Sequence, residues 1–176
     1  MLGVEKNKVA LVPHDEGWAD EYRLAKDELE NILGGNVAEI HHVGSTAIAG
    51  ISAKPILDVA IVVKSVEAID FAGMEAAGYE YIGERIDTGK HFFVRGKEGG
   101  ISTHHVGCYP ENSENCESAV LFCSYLNEHP ECAAQYSDLK IELASKYPDD
   151  RLAYAEAKSA FIEDIVAIAK GKQKNA

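Results

Sequence analysis

Glu39-Ile-His-His-Val-Gly-Ser-Thr-Ala-Ile-Ala-Gly-Ile-Ser-Ala-Lys-Pro-Ile-Leu-Asp-Val-Ala-Ile-Val-Val63 is the stretch from which the fold is read. Ile40 and Val43 ahead of a glycine, and the apolar β-branched run at the other end, predict strands over 37–43 and 56–63. In the second strand, alternation sets Leu57, Val59, Ile61 and Val63 on one face and Asp58, Ala60 and Val62 on the other. Gly44-Ser45-Thr46 breaks the first strand, and a brief turn leads through Gly50 to Lys54-Pro55. Free backbone N–H groups at such a turn hold phosphate oxygens, and a serine hydroxyl adds a donor. A carboxylate on the neighbouring strand can hold a divalent metal against the same phosphates. Strand, Gly-Ser turn and acid-bearing strand make the layout of a nucleotidyl-transfer site.

Outward from this centre, Trp18, Tyr22, Ala25, Leu29 and Ile32 draw one apolar stripe, predicting a helix over 16–33 that Gly34-Gly35 stops. Ser65 is a candidate N-cap for a helix to 77, ended by Gly78. Strands follow over 79–82, 91–95 and 101–109, with 96–100 as a hairpin loop. From Ser113 the chain reads as wholly helical, over 114–128, 131–146 and 150–170, punctuated by Pro130 and by Pro148-Asp149-Asp150. The last helix has Tyr154, Ala157, Phe161, Ile165 and Ile168 as its expected buried stripe, and the lysine-bearing tail after Ala169 is expected to fray. The fold class is α+β: a small mixed sheet packed with helices over 1–112, then a helical segment over 113–176 packed on it, the two forming one unit.

Composition sets the boundaries. The chain has 176 residues, 46% hydrophobic and 26% charged, within the ordinary globular range. Its net charge of −12 repels phosphate backbones and argues against binding long nucleic acid, while leaving room for a local basic pocket. The longest apolar run, 56–63, is interrupted by Asp58 and is far short of the roughly 20 residues of a bilayer span. No export segment is seen at the N-terminus, so a cytoplasmic protein is expected. Cys108, Cys116, Cys123 and Cys132 show no C-x-x-C spacing and read as free thiols. A P-loop is excluded because Ala49 stands where its second glycine would fall, and G-x-G-x-x-G, H-E-x-x-H and G-x-S-x-G are absent. The sequence assigns no oligomeric state.

Gly44-Ser45-Thr46, Gly50 and Ala53-Lys54-Pro55-Ile56-Leu57-Asp58 resemble the GrpB protein family. So do Arg95 with Thr103-His104-His105, Tyr125-Leu126, His129-Pro130, Tyr136, Leu139-Lys140, Leu143-Ala144, and Arg151, Tyr154, Lys158. The resemblance spans nearly the whole chain. It implies a nucleotidyltransferase-like fold and a family that also occurs fused to dephospho-coenzyme A kinases. It implies that Gly44, Ser45 and Thr46 hold phosphates, that Asp58 holds Mg²⁺ or another divalent metal, and that Lys54, Arg95, Tyr154 and Lys158 meet the remaining negative charge. Lys140 has a weaker case of the same kind.

Active nucleotidyltransferases generally carry Asp-x-Asp on the second strand, and here Ala60 stands at the second position. Two functions therefore stay open. The chain is a transferase that binds a Mg-nucleoside triphosphate and passes a nucleotidyl group to a small acceptor, with Glu39, Asp87 or His104 completing the metal site. Alternatively, it binds a nucleotide or other phosphorylated metabolite without turnover. A third reading uses His42 with His104 or His105 as a transition-metal site. Strand alternation lets only one of His104 and His105 face Asp58, and His104 is favoured.

Overall fold

A computed structural model describes residues 2–5, 8–86, 88–97 and 100–173. A six-stranded mixed sheet carries helices on both faces. β1 (Val4–Glu5) precedes α1 (Gly17–Leu33), β2 (Val37–Val43) and β3 (Leu57–Val63). Then come α2 (Phe71–Ala76), β4 (Glu80–Arg85), β5 (Lys90–Lys97) and β6 (Ile101–Pro110). The chain ends in α3 (Glu114–Glu128), α4 (Pro130–Lys146), α5 (Arg151–Ala157) and α6 (Ser159–Gln173). Strand order is β2-β3-β6-β5-β4, with β1 paired to β6. Only the β3–β6 pair is parallel.

The alternation of β3 decides the layering. Leu57, Val59, Ile61 and Val63 meet Trp18, Ala25, Leu29 and Leu33 of α1 in one core. Ala60 and Val62, with Val43 and Tyr109 from the neighbouring strands, meet Phe122, Leu126, Tyr136 and Ile165 of the C-terminal helices in a second. A smaller cluster of Val9, Leu143 and Tyr154 ties the N-terminal loop to α4 and α5. Burying such side chains contributes about 1.5–3 kcal/mol each, which holds both layers on the sheet.

The structure departs from the sequence reading in several places. The helix expected from Ser65 is a 3-10 turn at Val66–Ala68, then α2. Ser65 donates its hydroxyl to Glu67 at 2.7 Å, and the cap is Asp70, whose carboxylate accepts from the Gly73 N–H at 2.9 Å. The helix expected over 150–170 divides at Lys158, which resets the phase: Ala157 and Ile168 face outward, and Ala169 is buried instead. The helix continues past Ala169 to Gln173, held there by a 2.9 Å bond between Lys172 and His129. The loop expected over 96–100 is partly strand, since Gly96 and Lys97 belong to β5, and residues 98–99 lie outside the described ones. Among the described residues, no helix is long and apolar enough to cross a membrane.

Candidate functional site

The end of β2 and the start of β3 form the floor of a cleft. Val43 pairs with Asp58, so Gly44 leaves β2 directly over the carboxylate. Gly44 has φ +73°, and a Cβ there would lie 2.3 Å from Asp58 Oδ2. A glycine is required both for the backbone angle and for the close approach. Ser45–Ala47 then forms a 3-10 turn, and Ser45 lines the cleft.

Asp58 is the cleft's acid, with 38% of its side chain exposed. Parallel pairing of β3 with β6 sets His105 beside it, and His105 Nδ1 lies 3.2 Å from Asp58 Oδ1. Burial alone would raise the Asp58 pKa. The His105 hydrogen bond and the electrostatic pull of His105, Lys54 and Lys158 outweigh that and hold it below the usual carboxylate range.

Cations close the opposite wall. Lys54 and Lys158 both sit over the Tyr154 ring, at 5.5 and 4.4 Å from its centroid. Lys140 is fully buried, donates to the Ser52 carbonyl and lies 4.7 Å over the Tyr136 ring. Burial, then Lys158 and Lys54, push its pKa down to about 7. Lys158 is pushed down to about 8 by burial, Lys54 and Arg151, against the pull of Asp58. Lys54 is lowered by burial and by Arg151. Among the described residues, no carboxylate lies within 4.0 Å of the charged nitrogens of Lys54, Lys140, Arg151 or Lys158. Lys54, Arg151 and Lys158 border a cavity of about 750 Å³, and the buried Lys140 lies behind its wall.

Gly44, Ser45, Lys54, Asp58, Tyr154 and Lys158 therefore meet as expected, and Lys140 stands behind them. Four other candidates do not line this cleft. Thr46 is 3% exposed; its hydroxyl donates to the Ile56 carbonyl at 3.3 Å and meets His42 at 3.0 Å. His42 stacks on Tyr22 at 4.8 Å on the α1 face, and burial pushes its pKa down to about 4. His104 pairs with Leu57 rather than Asp58, so it too faces α1, where it meets Arg95 at 3.1 Å and Thr103 at 2.8 Å. Burial and Arg95 push it down to about 4. Arg95 is ion-paired with Glu28 and covers the Tyr79 ring at 4.5 Å. His105, not His104, is the cleft histidine.

The sequence reading gave Arg151 no role at the site, although Arg151, Tyr154 and Lys158 follow at steps of three and four, which brings them together on one side. Tyr136 likewise had no role assigned, although Lys140 follows it four residues on along α4, the spacing that brings the two together.

Metal chemistry is constrained by the donors present. Among the described residues, no three His, Cys, Asp or Glu side chains converge on one point. His42 and His104 lie on the face opposite His105, so of the two histidine pairings only His42 with His104 shares a face. Ala60 is 1% exposed and fills the second-acid position with a packed methyl. Glu39 pairs with His41 at 2.8 Å, and Asp87 lies outside the described residues. Mg²⁺ is commonly held by one or two carboxylates plus substrate phosphates. Asp58 fits one such ion shared with a ligand, not the pair of ions about 3.5–4 Å apart used in two-metal transfer.

A family model described as GrpB protein matches residues 8–167. The Glutamate-rich protein GrpB of Alkalihalophilus pseudofirmus is 36% identical over 171 residues, covering 94% of this chain and 98% of that one. The UPF0157 protein YqkA of Bacillus subtilis is also 36% identical over 171 residues, covering 96% of this chain. This chain spans 49% of YqkA, about half its length. A dephospho-CoA kinase of Mycolicibacterium paratuberculosis is 27% identical across 92% of this chain, and the match takes up 46% of that kinase. The crystal structure of GrpB from Enterococcus faecalis aligns with a TM-score of 0.85 at 32% identity, covering 93% of this chain and 99% of that one. Cid1 poly(U) polymerase, in its Mg 3'-dATP-bound structure, aligns with a TM-score of 0.55 at 16% identity, over 82% of this chain and 49% of that one. That last likeness is one of fold: the mixed sheet and its helices are nucleotidyltransferase-like.

Proposed function

The chain belongs to the GrpB family, and on that premise we propose that its cleft binds a small molecule carrying two or more phosphates, a nucleoside triphosphate or another phosphorylated metabolite. One observation carries this reading: Lys54, Arg151 and Lys158 line one end of the cavity, with Lys140 behind them, and among the described residues no carboxylate lies within 4.0 Å of their charged nitrogens, Asp58 acting on Lys54 and Lys158 only from further off. Asp58 offsets part of this positive charge; cations held away from water with the rest uncompensated are costly, and phosphate oxygens would supply the missing counter-charge. A basic pocket inside a chain of net charge −12 suits a compact anion better than a long polyanion. The turn after Gly44 and the Ser45 hydroxyl add donors of the kind that hold phosphate. When bound, a Mg²⁺ ion on Asp58 would offset further phosphate charge. In this reading, residues 1–112 form the floor and 113–176 the wall. Four free cysteines suit a reducing compartment, and we propose a cytoplasmic location.

Nucleotidyl transfer to a small acceptor is the second reading. It is favoured by Asp58, held ionised on the cleft floor in a nucleotidyltransferase-like fold. The packed methyl of Ala60 weighs for binding without turnover.

The test is thermal unfolding with tripolyphosphate and each nucleoside triphosphate, with and without Mg²⁺. A ligand at 100 times its Kd stabilises by about 2.7 kcal/mol, or roughly 5–10 °C at this size. The expected shift falls by half or more in Lys158→Ala, and its Mg²⁺-dependent part is lost in Asp58→Asn. No shift with any of these anions would refute the binding reading.

A further inference from the structure

The cavity extends beyond the cations. Past Tyr154 it is walled by one face of α3, where Ser118, Ala119 and Phe122 follow at helical spacing, and by Ile162, Val166 and Ala167 of α6. Phe122 marks the join between the two parts. Its ring meets Tyr136 at 5.1 Å, and Tyr136 carries Lys140 on its face at 4.7 Å. From that point the walls are mainly methyl and aliphatic groups, with Asn115 and Ser118 the polar side chains that α3 adds. The charged groups that α3 and α6 add are Glu163, which is exposed, and Lys170 two turns further along α6. A cavity of about 750 Å³ is of the size that takes a whole small molecule rather than a lone inorganic anion.

We infer that the α3–α6 groove receives the body of the ligand whose phosphates lie among Lys54, Arg151 and Lys158, and that this body is uncharged and hydrocarbon-like. The inference rests on the anion-binding reading above and narrows it. A charged or heavily hydroxylated body would meet hydrogen-bonding side chains only at Asn115 and Ser118 on α3, and would give up the rest of its hydration against Ala119, Phe122, Ile162 and Val166. An apolar body gains by leaving water. The division of the cavity into a cationic end and an apolar run therefore matches a ligand with its phosphates at one end only. A second phosphate further along a polynucleotide would meet only Lys170, with Glu163 on the same helix.

The experiment is calorimetric titration of the full chain with inorganic diphosphate and with butyl, hexyl and octyl diphosphate. Affinity is expected to rise about fourfold per methylene until the groove is filled. The ratio of octyl to inorganic diphosphate affinity is expected to drop tenfold or more in Val166→Gln. Ala167→Trp should do the same; Ala167 is exposed on α6, so the larger ring needs no room in the core. If inorganic diphosphate binds and the series is flat, the inference fails while the anion-binding reading stands. If a nucleoside diphosphate binds more tightly than octyl diphosphate, the groove belongs to a base and the inference fails. If inorganic diphosphate itself does not bind, both fail together.

Discussion

Gly44 leaves no room for a side chain above Asp58: a Cβ there would come 2.3 Å from Oδ2. Its backbone angles, φ +73° and ψ −173°, also lie in a region reserved almost entirely for glycine. Strain and overlap act together in Gly44→Ala, which is expected to destabilise the protein by roughly 2–4 kcal/mol in urea unfolding. The variant should also weaken tripolyphosphate binding, because the carboxylate must turn away from the Gly44–Ser45 backbone. Wild-type stability in that variant would show that the Asp58 side chain is free to leave its place.

Lys140 gives the site a pH signature. Its pKa in the folded chain, about 7, is below the ordinary 10.5, so between these values the unfolded chain binds the proton more readily. Stability therefore rises as pH climbs from 7 to 10.5, and the cost of the buried charge is complete below pH 7. Lys140→Met removes that cost along with one hydrogen bond to Ser52. It should raise stability at pH 6 by on the order of a few kcal/mol, with the gain gone near pH 10.5. The same variant should bind tripolyphosphate at least tenfold more weakly. A pH-independent change in stability would remove Lys140 from the set of titrating groups.

His104 separates stability from binding. Its pKa is about 4 in the folded chain against an ordinary 6.5, so folding stability is lost as pH falls from 6.5 towards 4. His42, also near 4, contributes a similar loss. His104→Gln should flatten roughly half of the acid-side decline, up to about 3 kcal/mol, in unfolding curves from pH 7 to pH 4. It should leave tripolyphosphate affinity within twofold, since His104 faces α1. A tenfold loss of affinity would return His104 to the cleft.

The two histidines also show where the sequence is legible and where it is not. Alternation put His104 and His105 on opposite faces, as the structure has them. Which of them joins Asp58 depends on the register of a parallel pairing between residues about fifty apart, and no local pattern encodes that. The 37–43 strand was readable because β-branched residues recur in it and Gly44 stops it. The two-residue β1 carries too little pattern to be seen. The break at Lys158 has no proline or glycine to announce it, yet it turns Lys158 towards Lys54 and Asp58. The Gly-Ser turn, Asp58 and Lys54, Lys140 and Lys158 were visible in the sequence. Arg151 and the apolar groove required the helices to be assembled.

Ala60 decides between the two functional readings, and Ala60→Asp is the direct trial. The methyl is 1% exposed and packs in the core that holds Val43, Ile48 and Tyr109. A carboxylate there would face that core two residues from Asp58 on the same strand face, where like charge and burial both oppose ionisation. The expected result is a loss of roughly 3–5 kcal/mol in stability and no metal-dependent release of pyrophosphate from nucleoside triphosphates. The packing around position 60 would then have adapted to the missing acid, so that one substitution does not rebuild a two-metal site. A folded Ala60→Asp variant that releases pyrophosphate with Mg²⁺ would show the opposite: a transferase site complete but for one carboxylate.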